Sequence, residues 1–206
     1  MRLKKSGTTK ATIYVIGAAL CILSAGCTGI SYYDLYIEPE KPVTVNRIER
    51  ILQIDDIQSR EPYINQGIVY RSDPFRLEVF PFKRWAKLPG DIITDAVTLF
   101  FRNSGIFRRV IEPYSSAEAD LLLKIRIYAL EMSRNQGEWY ARLSLDLEIS
   151  DPREETVLAT HSFDRREKMP GKKAVFLPPQ ISRILREELL VLREKITTAL
   201  NSPSNP

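Results

Sequence analysis

Two neighbouring stretches, residues 120–132 and 139–150, alternate apolar and polar side chains with a period of two, and this pattern constrains the fold most. A period of two over nine residues is typical of a β-strand with one buried face. A third strand-like run, residues 156–167, follows after the turn "DPREE". The sequence therefore predicts an antiparallel meander of three strands with one solvent-facing side. The expected buried positions are Leu121, Leu123, Ile125, Ile127 and Ala129 in the first strand and Ala141, Leu143, Leu145, Leu147 and Ile149 in the second.

Shorter strand-like runs precede the meander at residues 50–57, 66–71 and 75–85. "RSDP" at 71–74 has the Asp and Pro of a turn, so the second and third of these runs should form a hairpin. An edge strand is also expected around Tyr33 to Ile37.

Two segments have the apolar periodicity of amphipathic helices. In "DIITDAVTLFFRNSG", Asp91 is the expected N-cap and Gly105 the expected C-cap glycine. The second helix is expected from Pro179 to Asn201, with one apolar stripe. Together these elements predict an α+β fold, an antiparallel or mixed β-sheet covered on one face by two amphipathic helices.

The first 26 residues have the order of a bacterial lipoprotein signal peptide. The basic residues Arg2, Lys4, Lys5 and Lys10 precede an uncharged apolar run that ends in "LSAGC" at 23–27. "LSAGC" resembles a lipobox, in which the chain is cut before the cysteine and Cys27 is acylated, with palmitate among its chains. The alternative is an uncleaved anchor helix, but the dense apolar part stops near Leu23, short of the ~20 apolar residues that span a bilayer.

We therefore expect four regions: a signal peptide at 1–26, a lipidated tether and N-terminal edge segment at 27–42, a single α+β domain at 43–200, and a disordered tail at 201–206. Lipid attachment at Cys27 predicts a protein anchored in the cell envelope and facing the periplasm. Thr28 stands where an Asp would resemble an inner-membrane retention signal, which favours the outer membrane.

Charge and cysteine content exclude several classes of protein. The signal peptide holds four of the 30 basic residues and no acidic one, so the mature chain has 26 basic and 26 acidic residues and a net charge of zero. The basic pI is thus no argument for nucleic-acid binding, and no nucleic-acid partner is expected. Cys21 lies in the apolar run and Cys27 would be acylated, which leaves no disulfide for the mature chain of 180 residues.

No pattern of catalytic or metal-binding residues stands out. His161 is the one histidine, and a zinc site needs several His or Cys ligands. Asp164, three residues further along an alternating strand, should point to the opposite face, so it is not a partner for a His161 base. We expect His161 to be a strand-surface residue, and we expect no metal, no cofactor and no enzymatic activity.

The order of these features resembles the ABC-type transport auxiliary lipoproteins, the PqiC-like family. The resemblance runs through the lipobox, "SYYDLYIEP", "IVYR", Trp85 before the helix, "ADLLLKIRIYAL" and the final helix, and covers nearly all of residues 23–200. It implies a non-catalytic accessory component of an MCE-type ABC system that moves phospholipids or other hydrophobic molecules across the envelope. The implied partners are an MCE-domain substrate-binding protein and the ABC transporter subunits, and a homo-oligomer is possible.

Two other classes stay open. A structural or assembly lipoprotein unrelated to transport would need only an α+β domain on a tether. An exported hydrolase would need polar residues that converge in a pocket.

The tyrosines of "SYYDLYIEPEKP" are unusual for a plain tether. In an extended segment Tyr33, Leu35 and Ile37 share one face, while Tyr32 and Tyr36 take the other. The sequence supports two interpretations equally: all three tyrosines pack on their own domain, or Tyr32 and Tyr36 face outward and bind a partner.

Overall fold

The structure is a computed structural model that describes residues 29–39, 47–55 and 57–201. The chain divides after Ile30, and the unit that begins at Ser31 contains all the elements below. The lipidation candidate Cys27 and the tail beyond residue 201 lie outside the described residues. The strands are β1 (Ser31–Tyr33), β2 (Ile48–Ile54), β3 (Gln58–Ser59), β4 (Gly67–Asp73), β5 (Arg76–Trp85), β6 (Phe107–Ile111), β7 (Leu121–Asn135), β8 (Glu138–Asp151) and β9 (Thr156–Lys168), and the helices are α1 (Pro89–Ser104) and α2 (Leu177–Asn201).

The nine strands form one mixed sheet organised around the long strand β7. On one edge of β7, the strands β2, β3 and β4 pair with it in parallel, one after another along its length. On its other edge β8 pairs in antiparallel fashion, and β9 follows β8. The sheet extends outward from β2 to β6 and from β4 through β5 to β1.

The predicted meander is confirmed, because β7, β8 and β9 pair consecutively and antiparallel. All five predicted buried residues of β8 are buried. In β7 the alternation holds only to Ile127, because a register shift between Ile127 and Ala129 leaves one extra residue in this strand. Beyond this bulge Leu130 and Met132 take the apolar face. Ala129 is buried, as predicted, but it pairs with Ser144 and does not share the face of Ile127.

The predicted hairpin is confirmed as β4 and β5, which pair antiparallel. β1 pairs in parallel with the end of β5, Ser31 opposite Lys83 and Tyr33 opposite Trp85, and forms an edge of the sheet. The predicted edge strand Tyr33–Ile37 therefore lies earlier in the chain, and residues 34–39 are not in a strand. Strands β3 and β6 were not predicted.

The two predicted helices are present with different starts. α1 begins at Pro89 after Leu88, which is the N-cap and makes no side-chain cap bond, so Asp91 lies in the first turn and the N-cap prediction is wrong. Pro at the first helical position is favoured because its missing N–H would be unpaired there in any case. Gly105 is the C-cap as predicted, with φ 66° in the left-handed region. α2 begins at Leu177, two residues before the predicted start, after a 3₁₀ turn at Ala174–Phe176.

The core lies between the sheet and the two helices, and this confirms the predicted α+β fold. The apolar stripe of α2 is buried from Ile181 to Ile196, and the inward residues of β7 and β8 and the ring of Trp85 are buried as well. We call the covered side of the sheet the helix face and the opposite side the open face.

Candidate functional site

The edge of the sheet at β1 presents exposed apolar side chains next to buried ones. Exposure alternates along residues 32–37: Tyr32 and Tyr36 are 62% and 72% exposed, and Ile37 is buried. Tyr33 and Leu35 are partly buried and pack against the core. The two rows that the sequence predicts are therefore present in the structure, with Tyr32 and Tyr36 in the outward row.

The segment after β1 is held against α2 by one specific bond. The backbone N–H of Tyr36 donates to the Ser182 hydroxyl oxygen, 3.1 Å away. Ser182 is buried in α2, and the backbone N–H of Ala86 donates to the carbonyl oxygen of Tyr33 at 2.7 Å. These contacts and the β1–β5 pairing fix the backbone that carries Tyr32 and Tyr36.

The strand β5, next to β1, carries further exposed apolar side chains. Tyr32 is paired with Arg84, and Arg84 is paired with Gly67. Val79 is paired with Val69, which lies two residues after Gly67 and therefore on the same face of β4. The register thus places Tyr32 and Val79 on the open face. Leu77 and Val79 are about half exposed on this face, and Phe75 in the turn of the hairpin is 96% exposed. We call Tyr32, Leu77 and Val79 the apolar edge patch. Exposed apolar patches on a soluble domain mark interaction surfaces.

Next to the apolar edge patch, a buried carboxylate holds the open face together. Glu131 is fully buried on β7 and accepts bonds from Tyr63 Oη at 2.6 Å, Arg71 Nε at 2.9 Å and Arg142 Nη1 at 3.0 Å. Burial, and then the bond to Glu131, raise the pKa of Tyr63 far above its ordinary value, so the phenol stays a donor. Sequence reasoning missed this cluster, because the bulge at Tyr128 brings Glu131 onto the open face.

The rest of the open face, over β7 to β9, is polar. A cavity of about 290 Å³ there is lined by residues that include Lys124, Arg126, Asp146 and Glu148. Arg126 lies 3.7 Å from Asp146, and Lys124 lies 4.0 Å from Glu148. Cations and carboxylates thus pair across the strands, which is the arrangement of a solvent-facing sheet.

His161 is buried, so the prediction that it is a strand-surface residue is wrong. It lies on the helix face of β9, where α2 covers it and supplies both polar partners: Glu188 Oε2 at 2.5 Å from Nε2 and Lys195 Nζ at 3.1 Å from Nδ1. Asp164 lies on the open face and forms two bonds with Arg142. His161 and Asp164 therefore do not converge, as predicted.

In the described ranges of the chain, no group of three or more His, Cys, Asp or Glu side chains could hold a metal ion. The part of the chain that the structure describes also has no helix long and apolar enough to cross a membrane.

Comparison with known proteins identifies the class. The sequence profile of the family described as "ABC-type transport auxiliary lipoprotein component" matches residues 33–189. The chain belongs to this family of auxiliary lipoproteins. Membership implies a lipid-anchored envelope protein that serves an ABC transport system. No curated protein matches the sequence.

Two solved structures share the fold. A Xanthomonas campestris protein of the DUF330 family has a TM-score of 0.72 at 18% identity, and the match covers 84% of this chain and 100% of that one. A protein described as uncharacterized has a TM-score of 0.63 at 14% identity, over 81% of this chain and 98% of that one. At these identities the likeness shows the fold alone.

Proposed function

We propose that this protein is a non-catalytic accessory component of an MCE-type ABC transport system that moves phospholipids or other hydrophobic molecules across the cell envelope. Family membership supports the auxiliary role, and the resemblance of the sequence to PqiC-like proteins supports the MCE-type system. Acyl chains on Cys27 would anchor the protein, in the outer membrane in preference to the inner membrane. The mature chain would consist of the lipidated tether and N-terminal edge segment at 27–42, the domain at 43–200 and the tail at 201–206.

We further propose that Tyr32 and Tyr36 bind a transport partner, which would be the MCE-domain protein or a transporter subunit. The observation that carries this proposal is the exposure of these two rings on a backbone that pairing and the Ser182 bond hold in place. A rigid aromatic side chain loses little conformational entropy on binding and offers both apolar contact and a hydroxyl. Leu77 and Val79 would extend the contact along β5.

Paired substitutions test the role of the outward row. Tyr32→Ala with Tyr36→Ala should leave the melting temperature within about 2 °C of wild type, because exposed side chains contribute little to stability. The same pair should weaken capture of the MCE-domain protein in a crosslinking pull-down from intact envelopes.

The matched control is Tyr33→Ala with Leu35→Ala, which removes the inward row and should lower the melting temperature by several degrees. The partner-binding proposal fails if the outward pair destabilises the protein as much as the control pair. It also fails if capture of the partner is the same with and without Tyr32 and Tyr36.

A further inference from the structure

Three aromatic rings from three different strands surround the ammonium group of Lys172. Its Nζ lies 4.4 Å from the ring centroid of Tyr70, 5.3 Å from that of Trp139 and 6.0 Å from that of Phe80. Cation–π attraction acts within about 6 Å of a ring centroid, so all three rings contribute. We call Tyr70, Phe80 and Trp139 the aromatic cage.

The three rings of the cage belong to strands of the sheet. Tyr70 on β4 and Phe80 on β5 are tilted neighbours with centroids 4.4 Å apart, and Trp139 at the start of β8 lies 6.3 Å from Tyr70. All three rings are partly buried against the core. The walls are thus held by neighbouring strands, and only the cation comes from a loop.

The Glu78 carboxylate lies beside the cage, opposite Tyr70 on the neighbouring strand. Glu78 pairs in register with Tyr70, and the Ser72 hydroxyl donates to Glu78 Oε2 at 2.8 Å. This bond, together with the nearby cations Arg76 and Lys172, lowers the pKa of Glu78 below its ordinary value and keeps it ionised. Cages of aromatic rings are the sites by which proteins recognise quaternary ammonium groups.

Lys172 itself belongs to an exposed connection between β9 and the 3₁₀ turn. It follows Pro170 and Gly171, and a Cβ at Gly171 would meet no atom within 4 Å, so this side of the loop is open. The adjacent Lys173 is exposed as well. An incoming ammonium group could displace Lys172 from the cage without disturbing the sheet.

We propose that the aromatic cage is a binding site for the organic ammonium group of a zwitterionic phosphate ester, and that Lys172 occupies it as an internal stand-in. When the ligand's ammonium enters the cage, the displaced Lys172 and its neighbour Lys173 are free to pair with the phosphate. The ester is either free or the headgroup of a phospholipid. The assignment of the ester as a phospholipid headgroup rests on the proposed transport function. The proposal of a cation-binding cage rests on the ring distances alone.

Calorimetric titration of the full chain, purified in a non-ionic detergent, tests the cage with choline. Lys172→Ala removes the internal competitor, whose cation–π contact is of the order of 0.5–1 kcal/mol, and should bind choline about two- to five-fold more tightly than wild type. Lys124→Ala removes an exposed lysine from the open face of β7, so it is the matched control and should bind choline like wild type. Trp139→Leu in the Lys172→Ala background should abolish binding, and Tyr70→Leu serves in its place if Trp139→Leu fails to fold.

A neutral isostere of choline, 3,3-dimethylbutan-1-ol, separates cation recognition from apolar binding. If it binds Lys172→Ala as tightly as choline does, or if Lys172→Ala shows no saturable choline binding, the cage proposal is overturned. Comparison of phosphocholine with dihexanoyl phosphatidylcholine then identifies the source of the ammonium. Tighter binding of the lipid supports a phospholipid headgroup as the ligand. Tighter binding of phosphocholine supports a soluble ligand; the aromatic cage then stands as a binding site, but its link to lipid transport is overturned.

Discussion

At the scale of single residues, the environment of a charged side chain depends on contacts with residues far away in the sequence, and the local sequence pattern does not specify these contacts. Glu131 follows two apolar residues of β7, and the alternation up to Ile127 gives no sign that it should be buried with two arginines. The extra residue at Tyr128 turns Glu131 from the helix face to the open face, where Arg71 and Arg142 from neighbouring strands pair with it. His161 is similar, because its partners Glu188 and Lys195 come from a helix that begins 16 residues later in the chain.

The ion pair between Asp164 and Arg142 makes the stability depend on pH in a defined direction. Arg142 donates two N–H bonds to the Asp164 carboxylate, at 2.8 and 2.7 Å, and these lower the pKa of Asp164 below its ordinary value. Because the folded pKa lies below the unfolded one, the pair stabilises the folded state above about pH 4, and this stabilisation is lost as the pH falls through the folded pKa.

Asp164→Asn should therefore lower the free energy of unfolding at pH 7 by up to about 1 kcal/mol, since Asp164 is partly exposed and screened. At pH 3 the difference from wild type should shrink. Urea denaturation at both pH values measures it, with Glu154→Gln in the β8–β9 turn as the control. A difference that stays the same or widens at pH 3 would show that this ion pair is not the cause.

At the scale of elements, the strongly periodic segments could be predicted and the short or irregular ones could not. β8 and the two helices have sustained periods, so their existence, type and buried faces follow from the sequence. β3 has two residues and β6 has five, which is too short for a period to emerge. The N-cap of α1 was misplaced because Asp91 is a favoured capping residue, whereas the helix begins at Pro89 through the preference of proline for the first turn.

The β4–β5 hairpin contains a close contact that fixes its packing. A Cβ at Gly67 would lie 2.5 Å from Val79 Cγ1, so an alanine there would force the Val79 side chain or the hairpin backbone to move. Gly67→Ala should destabilise the protein by roughly 1–3 kcal/mol, and Val79→Ala added to it should restore most of this loss. Urea denaturation of both single variants and the double variant gives the coupling energy, and additive effects would show that Val79 is not the obstacle.

At the scale of the whole molecule, the fold class could be predicted but the order of the strands could not. The edge of β7 is shared by β2, β3 and β4, whose residues pair with residues about 60 to 70 positions later in the chain, and no local pattern specifies such pairings. The proposed membrane anchor rests on the sequence alone, because Cys27 lies outside the residues that the structure describes.

Cys27→Ala tests the anchor. Stable membrane attachment takes more than one acyl chain, so removal of the acylated cysteine should release the domain into the soluble periplasmic fraction or leave an unprocessed precursor. Fractionation of cells followed by an alkaline wash of the membranes distinguishes these outcomes. A variant that is cleaved after residue 26 and still sediments with washed membranes would contradict the lipoprotein assignment.

The central claim is that the outward face of the β1 edge binds a transport partner, and site-specific photo-crosslinking in intact cells tests it most directly. A photo-reactive amino acid at position 32 should crosslink to an MCE-domain protein. The same probe at Val157, which is exposed on the strand β9 at a different edge of the sheet, should not. Crosslinks to this partner from position 157 and none from position 32 would contradict the account.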